Sequence, residues 1–431
     1  SLDDALPILE DHSLMTLVFT TLTPEEYNQF ELQQPLGSYT QSVLQYHLLR
    51  QRQRDAFLLG VKDDDTIVAA ALVTTEMTRF GQVYLFDRGP LMDFSDRELL
   101  AFFARSVRHF AKKQGALYII WRPNVTYANT DDKGQLIGST NDQFLTMMTT
   151  AGFTHEPFQF GMSTTGSPTW EYVKPLAGLD NERAIRQSYT KNAQYYLKKN
   201  QQFGIQLREL SREELPAFKQ LTQTTADRLH YHDKDLSFYE AIYDNYGDDA
   251  TFIFAELNFE RYIAEESAKI AALDQKLAKI QEKIDKYPHQ DKFKRQFAEF
   301  DDQKQHHIKR VEKANQQFAA AGQATVVVAG ALFIAQPQEM TYLYSGTYEA
   351  YMDYYAPYQI QDAMIQRAVA QGIPLYNFYG ISGRFDGSDG VLGFKTAFAG
   401  HARQLVGDFI LPVNGTKYRL YRLLKRLTGR G

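Results

Sequence analysis

The stretch YNFYGISGRFDGSDGVLGFKTAFAG, residues 376–400, decides which kind of fold the chain adopts. It begins as an apolar and aromatic run, which predicts a buried strand at Leu375–Tyr379. Five glycines follow between positions 380 and 393, and glycine lets a backbone take positive φ or approach a ligand closely. Lys395 then stands between Phe394 and Phe398. This placement predicts a functional lysine at the rim of a strand, although a surface lysine on a flexible loop fits the spacing equally well.

The elements around this stretch occur twice in the chain. Each copy reads as a hairpin, a third strand, a helix and a last strand, which predicts a duplicated α/β domain. The first copy comprises Phe57–Val61, Thr66–Val73, Gln82–Phe86, a helix ending at Lys113 and Leu117–Trp121. The second copy comprises Thr251–Leu257, Ala324–Ala335, Thr341–Tyr344, a helix at Pro357–Ala370 and Leu375–Tyr379.

A long helical segment, residues 258–322, interrupts the hairpin of the second copy. Its apolar residues follow a spacing of three and four, which is typical of a coiled-coil seam. Pro288 breaks the pattern near the middle, so two antiparallel legs are expected, each about 40 Å long at 1.5 Å rise per residue. The seam residues are Ile263, Ile270, Leu273, Leu277, Ile280 and Ile284, then Phe293, Phe297, Phe300, Val311 and Phe318.

Composition excludes several classes of protein. The 431 residues carry a net charge of −5, so a generally basic nucleic-acid binder is excluded and any RNA contact must use local patches. The absence of cysteine excludes disulfides, thiol nucleophiles and cysteine-based zinc sites, and we predict no metal site. No apolar run reaches about 18 residues, so no membrane span is expected. The N-terminal segment is acidic and lacks signal-peptide character, which predicts a cytoplasmic protein.

The pattern Phe394-Lys395-x-x-Phe398-x-Gly400 resembles the signature of the Fem family, the aminoacyltransferases that build peptidoglycan cross-bridges. Further motifs occur in the family's order along nearly the whole chain. The resemblance implies an α/β fold with mixed sheets, built from two acetyltransferase-like (GNAT-like) subdomains and an inserted antiparallel coiled-coil arm. We expect the first subdomain at 1–175, the second at 176–257 and 323–431, and the arm at 258–322.

The same resemblance implies a reaction. A Fem transferase moves an amino acid from aminoacyl-tRNA to the side-chain amine of a peptidoglycan stem peptide, carried on lipid II or on UDP-MurNAc-pentapeptide. Aminoacyl-tRNA is then the co-substrate, and no cofactor is expected because aminolysis of an ester is downhill. By resemblance Lys395 stabilises the tetrahedral oxyanion and Phe394 positions it. Further implied partners are the inner face of the membrane, in peripheral contact, and a Fem-type homologue.

Single positions resemble family residues that bind substrate. Arg228 ends a T-x-x-x-R element and would hold a precursor phosphate, although a helix-terminal arginine near the macrodipole fits as well. Arg88 in YLFDRGP has the alternative of simply pairing with a carboxylate, and Tyr344 that of core packing. The expected substrate-binding set is Arg228, Arg50, Tyr84, Arg88, Tyr344, Tyr379 and Gly380.

Arg122-Pro123 departs from the family pattern, which commonly has Asp-Pro after this strand. Arginine reverses the sign of the charge there, so either that role is absent or the stem peptide differs. Three basic clusters could meet RNA or lipid phosphates. They are Lys191, Lys198 and Lys199; Arg50, Arg52 and Arg54; and the tail from Lys417 to Arg430.

Two other classes of protein compete with this interpretation. An acyl-CoA N-acyltransferase needs a glycine-rich loop before a helix, whose amides hold pyrophosphate. The nearest match, Arg384–Asp389, ends in a carboxylate that would repel the anion, and the sequence predicts no helix after it. The second competitor is a non-catalytic partner in a cross-bridge assembly that uses the arm for interaction.

Overall fold

The computed structural model describes residues 16–161 and 166–427, with side chains described as far as residue 424. The acidic N-terminal segment and the end of the basic tail lie outside the described residues. The strands are β1 (Leu17–Thr21), β2 (Ala56–Asp63), β3 (Thr66–Thr78), β4 (Gly81–Arg88), β5 (Leu91–Met92), β6 (Ala116–Pro123), β7 (Thr126–Thr130), β8 (Leu136–Ile137), β9 (Thr154–His155), β10 (Trp170–Pro175), β11 (Gln206–Glu209), β12 (Ala250–Asn258), β13 (Thr325–Ala335), β14 (Met340–Thr347), β15 (Leu375–Gly380), β16 (His401–Leu405) and β17 (Phe409–Pro412).

The helices are α1 (Pro24–Glu31), α2 (Val43–Gln51), α3 (Arg97–Lys113), α4 (Asp142–Thr150), α5 (Glu182–Gln187), α6 (Lys191–Phe203), α7 (Leu215–Leu229), α8 (Leu236–Tyr246), α9 (Phe259–Lys286), α10 (Asp291–Ala321), α11 (Ala356–Ala370), α12 (Gly390–Lys395) and α13 (Gly415–Leu427). Side-chain caps fix several of their starts. Thr23 and Glu26 form a capping box at α1. Asp96 caps α3.

The described residues form two mixed sheets. The first has the order β1-β2-β3-β4-β6-β17-β9, with β5 paired to β3. The second has the order β11-β12-β13-β14-β15-β10-β16-β7-β8. Each contains one parallel pair, β4 with β6 and β14 with β15, and the strand pairings around it are antiparallel. This is the mixed α/β architecture that the sequence predicts.

The predicted duplication is visible in the order of elements. The run β2, β3, β4, α3, β6 recurs as β12, β13, β14, α11, β15, and in both copies the helix connects the parallel pair. In the first copy a tight turn joins the hairpin strands, whereas in the second copy the arm stands at that position. The chain is therefore built from two α/β units with the same order of elements and one long insertion.

The two units exchange strands. Beside β6 lies β17, from the C-terminal end of the chain, and beside β15 lies β10, from the first half. Strands β7 and β8 also belong to the second sheet, because β7 pairs with β16. A single boundary after residue 175 therefore does not separate the two sheets, and the expected division needs this correction. The exchange ties the units together, since each sheet is complete only with strands from both halves.

The arm consists of α9 and α10, which lie within the expected segment. Leu273, Leu277 and Ile280 of the predicted seam are buried between the two helices. The seam also contains a charge that its apolar pattern does not predict, because Glu266 is 0% exposed. Its carboxylate accepts hydrogen bonds from Lys269 at 2.5 Å and from His307 Nδ1 at 2.7 Å. Burial raises the pKa of Glu266, but these two partners outweigh it and the net pKa is lowered.

None of the described helices combines the length and the apolar character that crossing a bilayer requires.

Candidate functional site

Strands β4 and β15, one from each unit, both end in an unusual backbone conformation. Arg88 is the last residue of β4 and Tyr379 the last but one of β15, and their φ values are 60° and 65°. Residues with a Cβ rarely adopt this left-handed conformation, which costs roughly 1–2 kcal/mol per residue. Such outliers cluster at functional sites because the surrounding structure must hold them in place. The two strand ends therefore mark a candidate site between the units.

Hydroxyl groups from both units meet at this point. The Tyr39 and Tyr379 hydroxyl oxygens lie 3.0 Å apart. The Tyr379 hydroxyl also lies 3.5 Å from Ser167 Oγ, which donates to Asp87 at 2.8 Å. Both tyrosines are partly buried. Burial raises the pKa of Tyr379 to about 12, although the charge of Arg88 opposes this rise. The Tyr379 hydroxyl therefore keeps its proton at neutral pH and can donate a hydrogen bond.

A buried ion network lies behind the hydroxyls. Arg88, which is 2% exposed, donates through Nη2 to Glu171 Oε1 at 2.6 Å and to the Pro168 carbonyl at 2.6 Å. Arg403 donates to the other Glu171 oxygen at 2.6 Å. Burial raises the pKa of Glu171, but the two arginines outweigh it and hold the pKa below its ordinary value. The alternative that Arg88 pairs with a carboxylate is thus what the structure shows. The Nη1 atom of Arg88 is buried without a hydrogen-bond partner among the described residues.

Glu339 completes the network. It receives a hydrogen bond from Asn377 at 3.1 Å and lies 3.4 Å from Arg403. Burial raises the pKa of Glu339, in spite of Arg403. Two arginines and two carboxylates therefore share one buried network behind the strand ends.

Lys395 is not the surface lysine on a loop that the spacing also allowed. It ends the short helix α12, is 3% exposed, and donates to the Tyr379 carbonyl at 3.2 Å and the Gly380 carbonyl at 2.6 Å. Burial lowers the pKa of Lys395 to about 7, and the nearby carboxylates Asp389 and Glu171 oppose that change. The lysine thus holds the left-handed end of β15 from behind.

Phe394 lies beside Lys395 but contacts other groups. Its ring packs edge-on against Tyr358, with 5.1 Å between centroids, and against Phe398 at 5.6 Å. Tyr358 and Phe398 fix the orientation of the ring, and the ring in turn fixes the end of α12. Phe394 is therefore held firmly beside Lys395, and its positioning role stays a prediction.

The glycine-rich segment is followed by a helix, contrary to the sequence-based prediction. Helix α12 begins after Asp389, whose carboxylate accepts from the amides of Val391 and Leu392 at 3.0 Å each and from the Ser382 amide at 2.7 Å. The helix is only six residues long. Its first amides are occupied by a side chain of the protein itself, so the loop does not offer them to the pyrophosphate of a coenzyme.

Gln41 braces the end of β4. Its side-chain amide donates to the Asp87 carbonyl at 2.8 Å and to the Leu72 carbonyl at 3.0 Å, and its oxygen accepts from the Leu72 amide at 2.9 Å. The neighbouring Thr40 hydroxyl also donates to the Asp87 carbonyl, at 3.0 Å. The hydrogen bonds of Gln41 and Thr40 therefore fix the loop that carries Tyr39.

The remaining predicted residues are spread more widely. Tyr344 is half-buried and packs edge-on against Phe238 and Tyr239. Its hydroxyl lies close enough to Tyr379 to raise the pKa of Tyr344, although burial contributes more. Arg228 is exposed on the last turn of α7, and the described residues offer it no ion-pair partner. The structure therefore places Tyr344 beside the hydroxyl pair, and the roles of both residues stay predictions.

Tyr84 and Arg50 are not brought into the hydroxyl cluster. Tyr84 is fully buried in the first core, stacked on Phe57 and edge-on to Phe110. Core packing accounts for it. Arg50 points to solvent from α2, whereas the neighbouring Arg52 pairs with Asp235. Substrate binding by Tyr84 or Arg50 finds no support in this geometry.

Arg122, the departure from the family pattern, is fully engaged. It donates to Asp408 at 2.6 and 2.9 Å and to Asp87 at 3.2 Å. Burial lowers the pKa of Arg122, but the two carboxylates outweigh it and the net pKa is raised. The arginine borders a cleft of about 260 Å³ that Ser167, Trp170 and Tyr421 also line. The reversed charge is therefore neutralised within the protein.

Several residues of the site were missed from the sequence, namely Tyr39, Ser167, Glu171, Glu339 and Arg403. Glu171 gave a signal that could have been used. It stands alone among Trp170, Tyr172 and Val173, and a single charge in an apolar strand predicts a buried pair. The described residues contain no group of three His, Asp or Glu side chains that could hold a metal ion.

Comparison with known proteins agrees with this architecture. The model of the FemAB family matches residues 22–426. Aminoacyltransferase FemA of Staphylococcus epidermidis strain ATCC 12228 is 30% identical over 421 residues, covering 95% of this chain and 99% of the relative. Aminoacyltransferase FemA of Staphylococcus aureus strain N315 is 30% identical over 424 residues, covering 96% and 99%. A crystal structure of FemX is similar with a TM-score of 0.73 and 21% identity, covering 94% of this chain and 99% of that one.

Proposed function

Because the chain belongs to the FemAB family, we propose that it transfers an amino acid from aminoacyl-tRNA to the side-chain amine of a peptidoglycan precursor. The proposal is supported by relatives named aminoacyltransferase FemA, which match over nearly the full length of both chains. It is also supported by Asp389, which occupies the amides that an acyl-CoA enzyme would use for pyrophosphate.

The proposed reaction is an aminolysis. The amine nitrogen of the stem peptide attacks the ester carbon, and the carbonyl electrons move to oxygen and form a tetrahedral oxyanion. Collapse of this intermediate restores the carbonyl and expels the ribose oxygen. The proton lost by the amine passes to that oxygen, directly or through water. The protein's main task is to hold the two substrates and stabilise the oxyanion.

The observation that carries the proposal is the hydroxyl pair of Tyr39 and Tyr379 between the two units. Each hydroxyl carries one O–H group that can donate to an oxyanion, and Arg88 places a positive charge close enough to Tyr379 to oppose the rise of its pKa. We assign the oxyanion to this position. Removal of one oxyanion donor typically lowers kcat by about 10²–10³.

In this proposal Lys395 acts indirectly, by holding the backbone at Tyr379 and Gly380. A neutral amine has two N–H groups, which suffice for the carbonyls of Tyr379 and Gly380, and the charged form keeps both bonds. Because Lys395 is almost fully buried and bonded only to backbone oxygens, it orients the Tyr379 hydroxyl without touching the oxyanion itself. Lys395 is then a positioning residue, and the direct role expected from the resemblance is replaced by an indirect one.

Single-turnover transfer rates at saturating substrates test this assignment. Tyr379→Phe should lower the rate by about 10²–10³ through loss of one donor. Lys395→Met should lower the rate comparably, and the double variant should be no slower than the slower single variant, because the two residues act as one unit. Tyr243→Phe is the control, since that hydroxyl lies on α8 outside the cluster. The assignment would be contradicted if the rate reductions of the two single variants multiplied in the double variant. A Tyr379→Phe rate within about threefold of the parent rate would also contradict it.

The finer identity of the partners is also proposed. Helix α13 is docked through Tyr418 and Tyr421, whose rings lie 5.2 and 5.7 Å from that of Tyr118. Its outer side exposes Leu420 and Leu423, each 55% exposed, on a helix rich in lysine and arginine. Apolar side chains on a basic helix are typical of peripheral contact with an anionic membrane, which favours the lipid-linked precursor. Sedimentation with phosphatidylglycerol vesicles should fall for a Leu420→Ser/Leu423→Ser variant.

A Fem-type homologue is the further proposed partner, supported by the family membership alone. Co-purification of the two proteins tests it.

A further inference from the structure

One surface outside the hydroxyl cluster combines exposed aromatic rings with lysines. Tyr195 and Tyr196 lie on α6, and their rings are 5.5 Å apart. Tyr355, at the start of α11, stacks on Tyr196 with 4.1 Å between centroids. The Lys199 ammonium lies 4.6 Å from the Tyr195 ring and 5.5 Å from the Tyr355 ring. We name this group, together with Lys198, the tyrosine–lysine platform.

The platform is open to ligands. The Tyr195 side chain is 53% exposed and Lys198 is exposed beside it. Helix α6 carries no acidic residue. The ion pairs that surround the platform use Arg186 and Lys313, so in the described part of the chain Lys198 and Lys199 have no carboxylate partner. The platform therefore presents an exposed ring and two cations that no described carboxylate neutralises.

A row of aromatic rings joins the platform to the residue before Lys395. Tyr196 packs against Tyr358 at 4.8 Å, and Tyr358 packs against Phe394 at 5.1 Å. Phe394 precedes Lys395, which holds the Tyr379 carbonyl. The start of α6 is also fixed to this region, because the Thr190 amide and hydroxyl donate to the Ala397 carbonyl at 3.0 and 2.9 Å. An unbroken row of rings thus leads from the exposed surface to the residue beside Lys395.

We propose that the tyrosine–lysine platform binds the unpaired 3′ end of aminoacyl-tRNA and directs its ester toward the hydroxyl pair. The inference rests on the proposed function. Unpaired bases stack on aromatic rings whatever their sequence, and lysines beside the rings contact the phosphates between them. A bilayer would instead require aliphatic side chains, and Met352 is the exposed aliphatic residue of the adjacent turn. Charge and ring geometry together favour a single-stranded nucleic acid.

The test is direct binding of uncharged RNA, which needs no turnover. Two minihelices of the same stem are compared, one with an unpaired 3′ end and one blunt. The parent protein should prefer the unpaired end by about tenfold, since one base stacked on an aromatic ring accounts for such a factor. The Tyr195→Ala/Lys198→Ala/Lys199→Ala variant should lose this preference. Its salt dependence should also weaken, by about 0.7 in the slope of log K against log salt for each lysine.

The matched control is Tyr287→Ala/Lys112→Ala/Lys113→Ala, which removes an exposed tyrosine at the turn of the arm and two exposed lysines on α3. This control should keep the preference for the unpaired end. The proposal is overturned if the parent binds both minihelices equally, or if control and platform variants lose affinity alike. Binding of phosphatidylglycerol vesicles that depends on the platform, without binding of the unpaired end, would overturn it in favour of a membrane contact.

The outcome is separable from that of the proposed function. A protein that transfers amino acids while the platform variant keeps its preference for the unpaired end contradicts the platform alone. A protein that shows the expected RNA preference but transfers no amino acid from any aminoacyl-tRNA supports the platform and contradicts the proposed function.

Discussion

Replacement of Lys395 by methionine tests the buried position of the lysine without any substrate. The pKa of Lys395 falls from 10.5 in the unfolded chain to about 7 in the folded protein, because burial disfavours the charged form. Between these pH values the unfolded chain binds more protons than the folded one, so the free energy of unfolding rises with pH. Below pH 7 the lysine is charged in both states and the native state bears the full penalty, whereas above 10.5 it is neutral in both.

The magnitude follows from these values. One pKa unit corresponds to about 1.4 kcal/mol, so the whole window corresponds to about 5 kcal/mol, of which roughly 2 kcal/mol falls between pH 7 and 9. Methionine has no titrating group and removes this dependence. Urea unfolding of parent and Lys395→Met at pH 7, 8 and 9 should show the parent gaining roughly 2 kcal/mol relative to the variant. Lys112→Met, at an exposed position on α3, should give a constant difference from the parent. A constant difference for Lys395→Met as well would refute the buried, carbonyl-bound lysine.

Two further predictions concern the surface residue Arg228 and the arm. Arg228→Ala should raise the KM for the precursor roughly ten- to a hundredfold, since a charge-assisted hydrogen bond contributes about 1.5–3 kcal/mol, and should leave the KM for tRNA unchanged. Arg108→Ala on α3 is the control, and an unchanged precursor KM in folded Arg228→Ala would remove Arg228 from the site. Replacement of residues 271–303 by a short Gly-Ser linker should leave cooperative melting intact, because the arm's contacts with the core come from its base, such as Phe259 against Tyr351. Loss of the cooperative transition would show that the distal arm is part of the core.

The repeated α/β unit could be predicted because its signals are local. Hairpin turns, caps and alternating apolar residues identified β2, β3, β4 and α3 and their second copies. The exchange of β10 and β17 could not be predicted, since which strand completes a sheet depends on partners more than 200 residues apart, as for β10 and β15. Short strands such as β17 carry no pattern that names their neighbour.

The sequence predicted some residues of the candidate site but not their arrangement. The motif around Lys395 pointed to the correct strand end, but a charge beside five glycines gave no sign that its ammonium would be buried against two carbonyls. Arg88 was expected to meet substrate or a carboxylate, and Glu171 decides for the carboxylate. Tyr39 was missed because a tyrosine in a short turn has no periodicity to identify it. Contacts that join the two units follow from the tertiary fold, and no single segment of sequence specifies them.

Mass spectrometry of peptidoglycan precursors, incubated with the protein and with a mixture of aminoacyl-tRNAs, tests the central claim most directly. The account predicts that the precursor gains the mass of one aminoacyl residue, attached to the side-chain amine of the stem peptide, only when charged tRNA is present. The Tyr379→Phe variant should form this product about 10²–10³ times more slowly. No gain in mass with any aminoacyl-tRNA, or a gain that requires an acyl-CoA instead, would contradict it.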